Sequence, residues 1–167
     1  MKDELMDATL IEYKDFLVAG LTIEADADSD FTGVWDVLNE QLTPEQLTAT
    51  QKLQKVGLCM PTEDPGGFHY TAGFMVPNIP AVAALGLTGV IVPASMYATA
   101  HLVGPAAEVI KGGFEYLMTQ YIPSQPLQPT GVAIEVYGPG DVTAQDYRMY
   151  AWVGVVSEKT VEELVGL

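Results

Sequence analysis

Two stretches late in the chain alternate apolar and polar positions with the period of a strand. In Gly131–Pro139, Val132, Ile134 and Val136 share one face while Ala133, Glu135 and Tyr137 share the other. In Met149–Val156, Met149, Ala151, Val153 and Val155 lie on one face, and Tyr150, Trp152 and Gly154 on the other. Joined by a turn at Gly138-Pro139-Gly140, these strands are expected to set Glu135 among Tyr137, Tyr150 and Trp152.

Earlier segments carry their own periods. Phe16–Ile23, Val56–Met60, His69–Val76 and Met96–Val103 read as strands, the second and third joined as a hairpin across Glu63-Asp-Pro-Gly-Gly67. Phe31, Val34, Trp35, Leu38 and Leu42 recur at helical spacing, as do Ala107, Ile110, Phe114, Leu117, Met118 and Tyr121. Gly112 and Gly113 weaken the second helix but permit close packing on a sheet. Between the helices, Thr43-Pro-Glu-Gln46 has the spacing of a capping box with proline at the first helical position. Asn78–Gly86 fits either a short helical turn or a loop, and Leu87–Pro93 is extended. Pro123, Pro126 and Pro129 end the long helix and make an extended connector. The tail, Ser157–Leu167, fits a short helix.

The halves repeat at a nearly constant interval. Trp35 and Phe114, and Leu38 and Leu117, are 79 positions apart, Pro61 and Pro139 are 78 apart, and Tyr70 and Tyr150 are 80 apart. The interval predicts a duplicated βαββ unit within a single domain over 1–167, with one repeat at about 13–77, the other at about 95–156 and a tail at 157–167. The architecture expected is therefore α+β: tandem βαββ repeats forming antiparallel sheets, two long helices and a central groove. In this register Gly57 stands where the second half has Glu135, and an acid present in one half only favours function over scaffolding.

Composition narrows the chemistry. The 167 residues are 49% apolar and carry a net charge of −15, with seven scattered basic residues and no basic run. That field repels phosphate, so direct nucleic-acid binding is not expected, whereas cationic small molecules would be concentrated near the surface. Cys59, the single cysteine, excludes an internal disulfide and is expected as inert core, which fits a reducing, cytoplasmic setting. The longest apolar tract, Ile79–Pro93, is too short and too broken to span a bilayer, so no membrane role is expected.

No metal or cofactor constellation emerges. The alternating acids Asp26, Asp28 and Asp30 lack the glycine and glutamate of a calcium loop, since Phe31 and Val37 stand at those places, and Ser29 or Asp30 reads instead as a helix cap. His69 and His101 lack ligand spacing, though His101 shares strand parity with Tyr97 and Thr99. What remains is Glu135, a carboxylate among apolar and aromatic neighbours. Such a group is costly unless protonated, hydrogen-bonded or matched by a cation. Either its tip reaches water at a sheet edge, or it serves a site that receives a cationic or polarisable ligand.

These residues resemble the GyrI-like small-molecule-binding domain, the SOUL/GyrI-type effector module of multidrug-responsive transcription regulators. The resemblance spans about Tyr13 to Val156. It is carried by Tyr97-Ala98 leading to Gly104-Pro105, by Phe114-Glu-Tyr-Leu117, by Ile134-Glu-Val-Tyr137, and by Tyr150-Ala-Trp-Val-Gly-Val155. It implies a groove for hydrophobic, often cationic compounds with Glu135 as counter-charge; Tyr137, Tyr150, Trp152, Tyr97 and Tyr70 are the ligand-binding neighbours expected with it. The chain has no room for a helix-turn-helix segment before Tyr13, so a stand-alone binding domain is expected, with transcriptional action through a partner protein. Some members that resemble it hydrolyse strained, cyclopropane-bearing electrophiles through the glutamate, which would make Glu135 catalytic. A gyrase-inhibitor-like protein-interaction role is the third reading. The family's final strand commonly closes on Ile-Pro-Val, where this chain has Val153-Gly-Val-Val156.

Overall fold

A computed structural model describes residues 7–26, 31–63 and 66–158. The fold is α+β with antiparallel strands. It divides into two compact units: a flanking unit of residues up to Lys14 and from Ala94 onward, and a middle unit, Asp15–Pro93.

In the middle unit, strands β2 (Phe16–Ala25), β3 (Lys55–Pro61), β4 (Phe68–Val76) and β5 (Thr88–Val92) lie in the order β3-β4-β2-β5. Helices α1 (Thr32–Gln41) and α2 (Pro44–Thr50) precede β3, and α3 (Ile79–Leu85) precedes β5. The core forms because the apolar stripe of α1 meets one face of β4: Val34, Leu38 and Leu42 are buried with Tyr70, Ala72, Phe74 and Val76. The predicted capping box is present, with Thr43 Oγ1 accepting from the Gln46 amide at 3.2 Å and Gln46 Oε1 from the Thr43 amide at 2.8 Å. Asn78–Gly86 resolves as a helix because Asn78 caps it and Gly86 closes it in the left-handed region, at φ 66°.

In the flanking unit, β1 (Ala8–Tyr13), β6 (Ser95–Val103), β7 (Leu127–Tyr137) and β8 (Arg148–Ser157) lie in the order β1-β6-β8-β7. Helix α4 (Ala106–Tyr116) continues through a π-helical turn, Leu117–Tyr121, into α5 (Ile122–Ser124). Gly113 lets α4 close on β6, since a Cβ there would lie 2.7 Å from the Leu102 methyls. The core between helix and sheet holds Ala98, Ala100, Leu102, Leu117, Met149, Ala151, Val153 and Val155. Leu117 is buried as expected, but Ala107, in the first turn of α4, and Met118 are exposed, the latter within the π turn that shifts the stripe there.

Several expectations change. Strand β1 is an element that the charged opening of the chain concealed. Pro129 lies within β7 rather than in a connector, tolerated by a bulge between Pro129 and Ala133. The link from β7 to β8 runs the whole way from Gly138 to Tyr147, so Gly138-Pro139-Gly140 only begins it. Helix α1 has Phe31 as its N-cap, without a side-chain cap bond, while Ser29 and Asp30 lie outside the described residues. The tail helix expected over 157–167 also lies outside them, apart from Ser157, which ends β8, and Glu158.

Candidate functional site

Glu135 sits near the end of β7 and is only 7% exposed. Its strand neighbour on the same face, Tyr137, donates its hydroxyl to Glu135 Oε1 at 2.9 Å. The contact follows from sequence: residues two apart on a strand share a face, and a phenol is long enough to reach back to a carboxylate. A charge-assisted bond of this kind offsets part of the cost of burying the acid.

The register decides what else lies nearby. Glu135 pairs with Ala151 and Tyr137 with Met149, whereas Ile134 pairs with Trp152 and Val136 with Tyr150. Directly opposed residues share a face. Glu135 and Tyr137 therefore stand on the helix-covered side, the side of Ala100 and Ala151. Tyr150 and Trp152 stand on the other side, so the expected cluster around Glu135 keeps Tyr137 and loses both. The faces within each strand were legible; the pairing was offset by one residue, which reverses every side chain.

Tyr97 belongs to the other side as well, opposite Gly154. Its ring lies 5.3 Å from that of Trp152, which meets Tyr13 edge-on at 5.1 Å. Tyr97 is fully buried and its hydroxyl has no hydrogen-bond partner among the described residues; burial, then the neighbouring Tyr13, push the phenol pKa up. Tyr150 is exposed and lies 5.0 Å from His101, which confirms the parity read for that histidine.

Tyr70 lies in the middle unit, beside the rings of Phe31 and Trp35. It stacks on Phe31 at 4.1 Å and accepts the Trp35 indole N–H at 3.1 Å. Lys55 Nζ sits 4.5 Å from the centre of the Trp35 ring, and burial pushes its pKa down. The spacing of Phe31 and Trp35, four apart on one helix face, was the signal available for this nest. Across the hairpin, Cys59 pairs with Tyr70. Cys59 is half-buried beside this nest rather than sealed in the core.

On the helix side of the flanking unit, the half-buried Tyr116 and Tyr121 also border the core; burial and then Tyr116 push the Tyr121 pKa up. A shallow depression of about 410 Å³ at Glu12–Lys14 and Ala94–Met96 contains none of the expected site residues. Among the described residues no group of acids, histidines and cysteine could hold a metal ion, and no helix is long and apolar enough to cross a membrane.

The fold is thus antiparallel α+β, with a buried carboxylate on a strand face that packs against helix. The chain belongs to the Cass2 family of integron-associated effector-binding proteins, whose profile matches residues 9–155, and its fold is GyrI-like. Solved structures agree on the fold. SAV2435 bound to tetraphenylphosphonium is similar with a TM-score of 0.74 and 18% identity, covering 95% of this chain and 97% of that one. An integron cassette protein from the mobile metagenome of Vibrio cholerae has a TM-score of 0.69 and 15% identity, covering 90% and 97%. The C-terminal domain of EcmrR has a TM-score of 0.64 and 15% identity, covering 92% and 99%. No curated protein matches the sequence.

Proposed function

We propose that the chain binds a hydrophobic organic cation, with Glu135 as counter-charge and Tyr137 holding the carboxylate in place. The observation that carries this reading is the burial of Glu135 with a phenol bonded to it, in a family of effector-binding proteins. A carboxylate withdrawn from water gains most from a ligand that brings positive charge and sheds its own hydration cheaply. The bound tetraphenylphosphonium of the similar SAV2435 has that chemistry. The net charge of −15 favours the same ligand class and opposes direct contact with nucleic-acid phosphates, so any regulatory output would pass through a partner protein.

Calorimetric titration with tetraphenylphosphonium and with neutral triphenylphosphine oxide tests the reading. Glu135→Gln should weaken the cation by about ten- to a hundredfold, the scale of a charge-assisted contact, and leave the neutral compound nearly unchanged. Equal losses for both would remove the counter-charge role. Mass spectrometry of the recovered compounds separates retention from turnover. Consumption that depends on Glu135 would replace binding with hydrolysis.

A further inference from the structure

The charged residues of this chain stop for a long interval. No Asp, Glu, Lys or Arg occurs between Asp64 and Glu108, in a chain that is 17% charged. Helix α3 and strand β5 lie within that neutral run, and β5 is the outermost strand of the middle unit's sheet, paired with β2 alone among the described residues. Its outer row of backbone N–H and C=O groups faces away from the sheet. Natural edge strands carry a lysine, a proline, an inward charge or a bulge that turns other strands away. Thr88-Gly-Val-Ile-Val92 has none of these, and its register with β2 is unbroken. Ile91 is 66% exposed and Ile79, at the start of α3, 64% exposed, the highest values for large apolar side chains among the described residues. A Cβ at Gly89 would lie 3.5 Å from the Val82 methyls of α3, so Gly89, and with it Ile91 two residues on, stands on the face that α3 covers.

We propose that two copies of this chain pair through β5, antiparallel about a twofold axis, with Ile91 and the neutral surface of α3 flanking the junction. The occupant follows from charge and from backbone spacing. Each copy carries −15, so contact through an acidic surface would set like charges against each other. The neutral run is where two copies touch without burying them. A basic foreign chain would be drawn to the acidic surface and find no counter-charge on this strip. Antiparallel pairing of identical strands is self-complementary: the donors and acceptors that one edge offers are met at the same spacing by the other. The axis stands perpendicular to the sheet, so both copies keep α3 and Ile91 on one face of a continued sheet. Each chain has one β5, so pairing occupies both edges and association through them stops at two. Five residues of strand with their flanking side chains bury less than the roughly 1,200 Å² of a tight complex, so the dimer is weak and reversible.

Sedimentation of the whole chain over about 5 to 500 µM tests this. The mean mass should climb toward twice that of one chain, and further in about 0.5 M salt than in about 0.05 M, since salt screens the repulsion between two copies of charge −15. Ile91→Lys and Ile91→Glu change a side chain that lies largely in water, and circular dichroism should show both folded. Each should weaken self-association by about tenfold or more, because like charges then face each other across the axis. Mixing the two should restore dimers, now between opposite charges. Val103→Lys places the same charge on an exposed residue of the flanking unit and should associate as the parent does. Amide exchange within Thr88–Val92 should slow in the concentrated parent. A parent that stays monomeric at the highest concentration in high salt overturns the proposal. So does association that survives both Ile91 variants, that fails to return on mixing them, that Val103→Lys abolishes, or that leaves exchange at β5 unchanged.

Discussion

Tyr97 and Tyr137 show how differently two buried phenols can be used. Tyr137 spends its hydroxyl on Glu135, while Tyr97 is fully enclosed with its oxygen unmatched among the described residues. An unmatched buried hydroxyl is a cost that its removal relieves, so Tyr97→Phe should leave stability at neutral pH unchanged or raise it by up to about 1 kcal/mol, read from urea midpoints. Burial raises the pKa of this phenol above its ordinary value of 10.0, so the fold favours the protonated form. The resulting stabilisation is fully present below pH 10 and is lost as pH climbs through the higher folded value. Tyr97→Phe should accordingly lose less stability than the parent on titration above pH 10, and an identical alkaline decline in both would show that Tyr97 titrates normally in the fold.

Helix α2 is short enough that its ends decide its fate. Seven residues cannot nucleate a helix unaided, and the reciprocal bonds between Thr43 and Gln46 satisfy amides that would otherwise be orphaned. Thr43→Ala should cost about 0.5 to 2 kcal/mol, and hydrogen exchange should rise first at the amides of α2; a loss under a few tenths would show the cap to be redundant. Gln46 also donates to the Ala84 carbonyl at 3.0 Å, so the same residue ties α2 to α3 within the middle unit. Strand β7 poses the opposite case. Its bulge between Pro129 and Ala133 absorbs a proline that single-residue preferences would place outside a strand.

At the scale of the whole chain the governing quantity is charge. With a net −15, attraction of an organic cation has a long-range part that salt screens and a contact part that it does not. Affinity for tetraphenylphosphonium should fall by about threefold or more between about 0.05 and 0.5 M salt, while triphenylphosphine oxide should be nearly indifferent; parallel responses would deny charge any part in binding. Charge, apolar periods, the Thr43 cap and the shared face of Glu135 and Tyr137 were all legible in the sequence, because each depends on composition or on neighbours a few residues away. The pairing of β7 with β8 was legible too, but only to within a residue. That residue is where local information ends: strand period tells which side chains travel together, not which face of β8 meets which face of β7. The ten-residue link from Gly138 to Tyr147 and the packing of Met149, Ala151 and Val153 against α4 settled that choice. They placed Glu135 with alanines beneath a helix and put Tyr97, Tyr150 and Trp152 on the far side. They did so because burying one set of side chains beneath α4 admits a single pairing, and contacts between residues distant in sequence leave no trace in the alternation of either strand alone.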